Sequence, residues 1–439
     1  MSARGQIGIP AEGVAIQMTK RVRLFVIFIS SLLIFYVIIG GVLGRGSTDQ
    51  GENSYRDLGV YSQVLSRIQQ EYVTQPNLKN VTKGAIRGLL EALDPYSTYF
   101  TPAEYQEYLQ HPHPGPASIG IFLSKRMGFA TIVSVLPNSP AQKAGINPGD
   151  LIDEVDGKRI RELSVVQINR LLDGAPGSSI VLSVIKGTQG QPEKLTLTRE
   201  ILKNAPLVAK TIDPDTAYLR VPTFDQGKSD EIATQLKQLI SAGDNKIVLD
   251  LRDCAGGSET EGEKTANLFL DHGLITYLYG QRYPRKEVVA RASDQITKLP
   301  LVVLINQSTA GPAEIVAGAI LDNKRGDVVG VTSFGVGVYQ KLIPVGDGSA
   351  LLLSVAKYYT PDGKPIPGNG ITPNVMQSAE NEAAAASGDT APPKFGGPDD
   401  MQLQKALQIL AKKGAPEKSA HLKLHRPAAS RAFGLFEGA

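Results

Sequence analysis

An α/β core with an inserted domain of short strands, preceded by helices and one membrane-crossing segment, is the fold class that this 439-residue sequence predicts. Three observations carry it. Apolar, strand-like runs at 217–221, 246–251, 301–305 and 327–331 alternate with helical stretches at 229–242 and 261–270, the pattern of strands buried on both faces. Between 116 and 202 the pattern changes to short strands broken by turn residues, with one longer helix. Leu24 to Leu43 contains no charge at all.

That uncharged run is long enough to cross a hydrocarbon core of about 30 Å at about 1.5 Å per residue. Arg4, Lys20, Arg21 and Arg23 precede it, so residues 1–23 are expected in the cytoplasm and the bulk outside it, in the periplasm if the source is Gram-negative. The rival is a cleaved signal peptide. Its apolar stretch is usually shorter, and Gly40-Gly41-Val42-Leu43-Gly44 offers only a weak cleavage pattern, so a retained single-pass anchor at 24–43 is the reading taken.

A helical segment is expected over 54–113. Leu58, Tyr61, Leu65, Ile68 and Tyr72 share one face of its first helix, a second helix ends at Asp94-Pro95, and Thr101-Pro102-Ala103-Glu104 opens a third as a capping box. Within 116–202, Ser139-Pro140-Ala141 opens a short helix ended by Gly145, Asp156-Gly157 forms a hairpin turn, and Val165, Val166, Ile168, Leu171 and Leu172 line one helix. The α/β core spans 205–377 and an Ala/Gly/Pro-rich linker spans 379–398. An amphipathic helix at 399–413 carries Met401, Leu403, Ala406, Leu407 and Leu410, and 414–439 reads as a disordered, mildly basic tail.

A net charge of +3 gives no case for a nucleic-acid partner. Cys254 is the sole cysteine, so no intramolecular disulfide exists; a small buried residue is the simplest role for it. The five histidines are too scattered for a metal site, and no cofactor is expected.

The most informative stretch is Asn306 to Gln340. Ala313-Glu314-Ile315-Val316-Ala317-Gly318-Ala319-Ile320 and Phe334-Gly335-Val336-Gly337-Val338-Tyr339-Gln340 resemble the two catalytic blocks of the carboxyl-terminal processing peptidases, tail-specific serine proteases with a PDZ domain. The resemblance extends to Leu249–Gly257, Leu93–Pro102, Tyr358–Gly363 and Gly368–Pro373. It implies a peptidase core of the ClpP/crotonase-like class over 205–377 and a PDZ domain over 116–202. In the family pattern a Ser nucleophile is activated by a Lys base, and a Gln orients the Lys. Aligned on Glu314-Ile315, the nucleophile position is Gly311; aligned on Gly335, Gly337 and Gln340, the base position is Val336.

Neither residue can do that chemistry. Glycine has no hydroxyl, and valine has no group that takes up a proton. Loss of a nucleophile alone costs around a million-fold in turnover. The resemblance also places one oxyanion donor on the residue after the nucleophile, which is Pro312 and lacks an N–H. Gly256 and Gly257 match the glycines that supply the other donor, and Gln340 matches the orienting Gln; backbone geometry and ordinary polarity are the favoured explanation of these survivors. Ser308 and Thr309 are the hydroxyls that would stand in for a lost nucleophile, against the alternative that they make local turn bonds.

The resemblance further places a carboxylate-binding loop at Ser118-Ile119-Gly120-Ile121-Phe122, with Val165 and Ile168 on the helix walling a peptide groove; the bland alternative is that these residues form a domain core. The leading expectation is an inactive, membrane-anchored homologue that binds protein C-terminal tails through its PDZ domain, with an active homologue or a second copy as partner. An active endopeptidase with a displaced nucleophile is the alternative. A small-ligand carrier with an apolar hollow beside Val336 is a third.

Overall fold

The computed structural model describes residues 25, 28–36, 49–112, 114–126, 128–187, 190–203, 205–379 and 395–414. The chain divides into two units, Met1–Gly84 and Ala85–Ala439. In the first, residues 28–36 are helical with exposed apolar side chains, and α1 (Asp49–Glu71) begins earlier than the expected Tyr55. Among the described residues no helix is long and apolar enough to cross a membrane. Much of the expected span at 24–43 lies outside the described residues, as do 380–394 of the linker and 415–439 of the tail.

α2 (Leu78–Glu91) leads through Asp94 into β1 (Thr98–Phe100) and α3 (Pro102–Gln110). Thr101 caps α3 as expected: its backbone N–H donates to Glu104 at 2.8 Å and its hydroxyl accepts from the Glu104 N–H at 3.4 Å. β1 falls between the second and third expected helices, where no element was expected. Tyr99 and Phe100 are apolar and buried, and a three-residue strand carries too little periodicity to register in a sequence pattern.

The small domain contains β2 (Ile121–Arg126), β3 (Phe129–Val135), α4 (Pro140–Lys143), β4 (Leu151–Val155), β5 (Lys158–Arg159), α5 (Val165–Leu172), β6 (Ser179–Ile185) and β7 (Pro192–Thr198). Its sheet runs β2-β3-β4-β6-β7, leaving β2 at an edge. Asp156 and Gly157 both have positive φ, 49° and 75°, as a two-residue primed hairpin turn requires.

The core follows with β8 (Val208–Ile212), β9 (Thr216–Arg220), α6 (Lys228–Ser241), β10 (Lys246–Asp250), α7 (Glu259–Asn267), β11 (Leu274–Tyr279), β12 (Lys286–Val289), β13 (Leu301–Ile305), α8 (Pro312–Asp322), β14 (Asp327–Gly330), β15 (Val338–Pro344), β16 (Ala350–Tyr359), β17 (Val375–Met376) and α9 (Met401–Gly414). One sheet runs β17-β14-β13-β10-β9-β8, parallel except for β8. Every residue of β13 is buried, which is why Leu301-Val302-Val303-Leu304-Ile305 shows no alternation. The second sheet is antiparallel, β1-β16-β11-β12 with β15 beside β16, so β1 stitches the N-terminal segment into the core.

A buried ion network closes the parallel sheet. Arg252 follows β10 and is fully buried between Asp250, its nearest carboxylate, and Asp400, whose Oδ1 and Oδ2 each accept at 2.7 Å. Tyr218 donates to Asp250 at 2.7 Å, and the Phe395 ring lies 4.2 Å from the Arg252 guanidinium. Asp400 stands at the start of α9, so the network pins that helix across the sheet. Removing one member strands the remaining charges without water. Arg252→Ala is therefore expected to cost about 3–5 kcal/mol, with hydrogen exchange rising first in α9. Unchanged α9 protection would contradict this assignment.

Candidate functional site

The site forms where two loops leave the C-terminal ends of parallel strands, the usual place for chemistry in such sheets. After β13, Asn306 to Ala310 turn into α8. The Thr309 hydroxyl is fully buried and donates to the Leu251 carbonyl at 2.8 Å, while its oxygen accepts from the Asn306 N–H at 3.0 Å. Asn306 donates to the Asp253 carboxylate at 2.7 Å and accepts from its N–H at 3.0 Å. Burial raises the Asp253 pKa, against the pull of that Asn306 bond and of Arg220. These contacts tie the loop of the nucleophile position to the loop that carries Gly256 and Gly257.

Gly311 has φ 61° and ψ −121°, a conformation L-residues rarely hold. A Cβ built there meets nothing within 4 Å. The turn thus keeps the sharp strand-to-helix geometry that presents a nucleophile, and room for a side chain, with no side chain in it. Pro312 occupies the first helical position, where a missing N–H costs the helix nothing.

Glu314 joins the two loops. Its carboxylate is completely buried and accepts from Gly311 N–H at 2.9 Å, Val336 N–H at 2.8 Å, Gly335 N–H at 2.7 Å and the Ser333 hydroxyl at 2.5 Å. The backbone nitrogens of Gly311 and Val336 converge on the same oxygen, Oε2. The two positions aligned with the expected nucleophile and base are therefore held in register by one side chain. Burial raises the Glu314 pKa to about 7, opposed by the four donors.

Val336 is half-buried. Its side chain packs with Phe334, Ala310 and Ala255 of the core and with Phe122 and Val133 of the small domain. The apolar surroundings expected beside Val336 are thus present, and they are made by packed side chains of both domains. Phe122 also reaches Gly256, where an added methyl carbon would lie 3.1 Å from its ring. A second tie is the Ser134 hydroxyl, which donates to the Asp253 carbonyl at 2.6 Å. Gln340 points elsewhere, its amide donating to the Tyr96 carbonyl at 2.9 Å. The Tyr96 hydroxyl in turn lies 2.9 Å from Ser124 of β2, so Gln340 braces the N-terminal segment.

Among the described residues, no amine or imidazole is hydrogen-bonded to the Ser308 or Thr309 hydroxyl. Ser308 is nearly buried and lines a cavity of about 440 Å³ with Gln307, Thr332, Ser333 and Asn369; no amine or imidazole is among the described residues lining it. Lys324 sits past the far end of α8, and Lys341 is exposed on β15. The Cys254 thiol is wholly buried, its pKa pushed up by burial, which leaves it a packing residue.

In the small domain, Ser118 exchanges backbone bonds with Glu200 at 3.0 Å each. Gly120 has φ 83°, and Ile119 is buried. Among the described hydrogen bonds, the N–H groups of Ile119 and Gly120 have no acceptor. Ile121 and Phe122 lie on edge strand β2. Val165 and Ile168 are buried in the cluster that also holds Ile132 and Leu182, which agrees with the domain-core alternative for them. Sequence reasoning missed the reach of Glu314: its capping-box spacing from Gly311 signals the local bond, and nothing signals the bonds to Ser333–Val336.

Glu314 sets a pH dependence. A carboxyl whose folded pKa lies above its ordinary value binds more protons folded than unfolded, so its contribution is full below about pH 4.5 and falls as pH rises through about 7. In Glu314→Gln that slope should flatten between pH 5 and 7 while overall stability drops, read as thermal midpoints across the range. An equal slope in both proteins would contradict the assignment.

Residues 215–376 match Peptidase family S41, and residues 131–186 match the PDZ domain. A carboxy-terminal-processing protease of Bartonella bacilliformis is 31% identical over 82% of this chain and 83% of that protein. A carboxyl-terminal-processing protease of Synechocystis is 32% identical over 81% and 83%. Among solved structures, a photosystem II D1 C-terminal processing protease superposes with a TM-score of 0.60 at 27% identity, covering 72% of this chain and 86% of that one. With the strand-loop-helix frame around Glu314 and the small domain packed on it, these similarities show that the chain belongs to the carboxyl-terminal processing protease family, with an S41 peptidase domain and a PDZ domain.

Proposed function

We propose that this chain is a catalytically inactive member of its family that holds the C-terminal segments of other polypeptides. The observation that carries the reading is the pair Gly311 and Val336, held in register by Glu314 yet lacking hydroxyl and amine. Pro312 removes one oxyanion donor, and Phe122 covers Gly256 beside the other. A displaced nucleophile is opposed by the burial of Thr309 and by the absence of an amine in the described lining around Ser308.

The PDZ domain supports the holding role. β2 is an edge strand, and the N–H groups of Ile119 and Gly120 precede it, an arrangement suited to adding a polypeptide end as an extra strand. An active homologue or a second copy of the chain is the partner that this role calls for. The basic residues before the uncharged stretch support an anchor with the bulk outside the cytoplasm. Protease added to intact, wall-stripped cells should digest that bulk, and full protection would oppose the orientation.

Activity-based labelling tests the inactivity. The wild-type chain should take no adduct from a serine-directed fluorophosphonate and should leave an unstructured polypeptide intact; an adduct on any hydroxyl overturns the reading. The triple variant Gly311→Ser, Pro312→Ala, Val336→Lys should become labelled at position 311. Its hydrolysis should rise roughly tenfold or more above wild type, far short of the ~10⁶ that an intact set of catalytic groups supplies.

A further inference from the structure

A cleft of about 980 Å³ lies between the antiparallel sheet and the small domain, bordered by Tyr96, Ser124, Tyr279, Tyr283, Lys341 and Lys357. Its charge is one-sided. Lys341, Lys357 and Arg282 line it, all exposed, and among the described residues none has a carboxylate within ion-pair distance. Lys125 is a further lining cation, already bound to Glu91 at 2.9 Å and to the Arg161 carbonyl at 2.8 Å. Asp94 is the one carboxylate facing it, and its oxygens are taken by Tyr96 N–H, Ser97 N–H and the Ser97 hydroxyl. Three unpaired cations on the walls of one cleft focus a positive potential into it. Tyr279, Tyr283 and Tyr359 add flat, amphipathic contact area.

Ser124 and Lys125, toward the end of β2 away from Gly120, line the cleft. From Gly120 to Ser124 or Lys125 the strand advances four or five residues, about 13–17 Å at about 3.3 Å per residue. A polypeptide end held at Ile119-Gly120 and paired along β2 would enter the cleft with the residues about five positions upstream of its terminus. We propose that the cleft binds an acidic stretch of the held polypeptide, so that this chain selects tails whose carboxylates lie a few residues before an apolar end. The inference rests on the tail-holding reading above and adds to it the class of polypeptide held.

Fluorescence anisotropy of the full chain tests it with three labelled peptides of equal length. The first has five Asp or Glu residues upstream of an apolar free terminus, the second has Asn or Gln in their places, and the third is the acidic peptide with an amidated end. The acidic peptide should bind roughly tenfold more tightly than its neutral counterpart, and that advantage should shrink as salt rises. Lys341→Glu with Lys357→Glu should abolish the advantage, while Lys237→Glu on the exposed face of α6 should preserve it. Equal binding of acidic and neutral peptides, with loss on amidation, overturns the inference and leaves the tail-holding reading standing. Binding of none of the three overturns both.

Discussion

One buried carboxylate organises this molecule's central site. Glu314 gathers Gly311 from the loop after β13 and Ser333, Gly335 and Val336 from the loop after β14. Taking a carboxylate out of water is costly unless donors replace the water, and four donors do so here. The consequence is geometric. Two loops that belong to neighbouring parallel strands are clamped at one oxygen, and α8 starts at the clamp. Ala310 and Phe334 on either side add backbone bonds of their own, to the Cys254 carbonyl at 2.9 Å and the Thr309 carbonyl at 3.0 Å.

The second constraint is how the PDZ domain meets the core. Phe122 and Val133 complete an apolar cluster with Ala255, Ala310 and Val336, and the Ser134 hydroxyl reaches the Asp253 carbonyl. Strand β2, at the edge of its sheet, also presents Phe122 to the loop of Gly256 and Gly257. Occupancy of that edge and packing on the core are thus properties of one six-residue strand. Tyr96 adds a further tie, touching Ser124 with its hydroxyl and Gln340 with its carbonyl.

Much of this was legible in the sequence, and what was not has physical causes. The parallel strands, the Thr101 cap and the Asp156-Gly157 turn are local signals, written in residues a few positions apart. Gly311 and Val336 were found because their neighbours match a family pattern. The clamp was not legible, since it joins Glu314 to residues about twenty positions later through folding alone. Phe122 was read as facing a ligand, but a strand has two faces and the sequence does not state which domain covers the second. Val165 and Ile168 were ambiguous for the same reason: apolar residues on a helix beside a groove and apolar residues in a core have the same spacing.

The substitutions themselves have a thermodynamic direction. A side chain at φ 61° and ψ −121° carries backbone strain of order 1–3 kcal/mol, which glycine at 311 relieves. An amine among Phe122, Val133, Ala255 and Phe334 would be desolvated, and valine at 336 turns that cost into apolar packing. Active sites commonly sacrifice stability for reactivity, and each change here runs the opposite way. The Glu314 carboxylate holds the backbone N–H groups of Gly311 and Val336, so this frame does not depend on which side chains stand at the two positions.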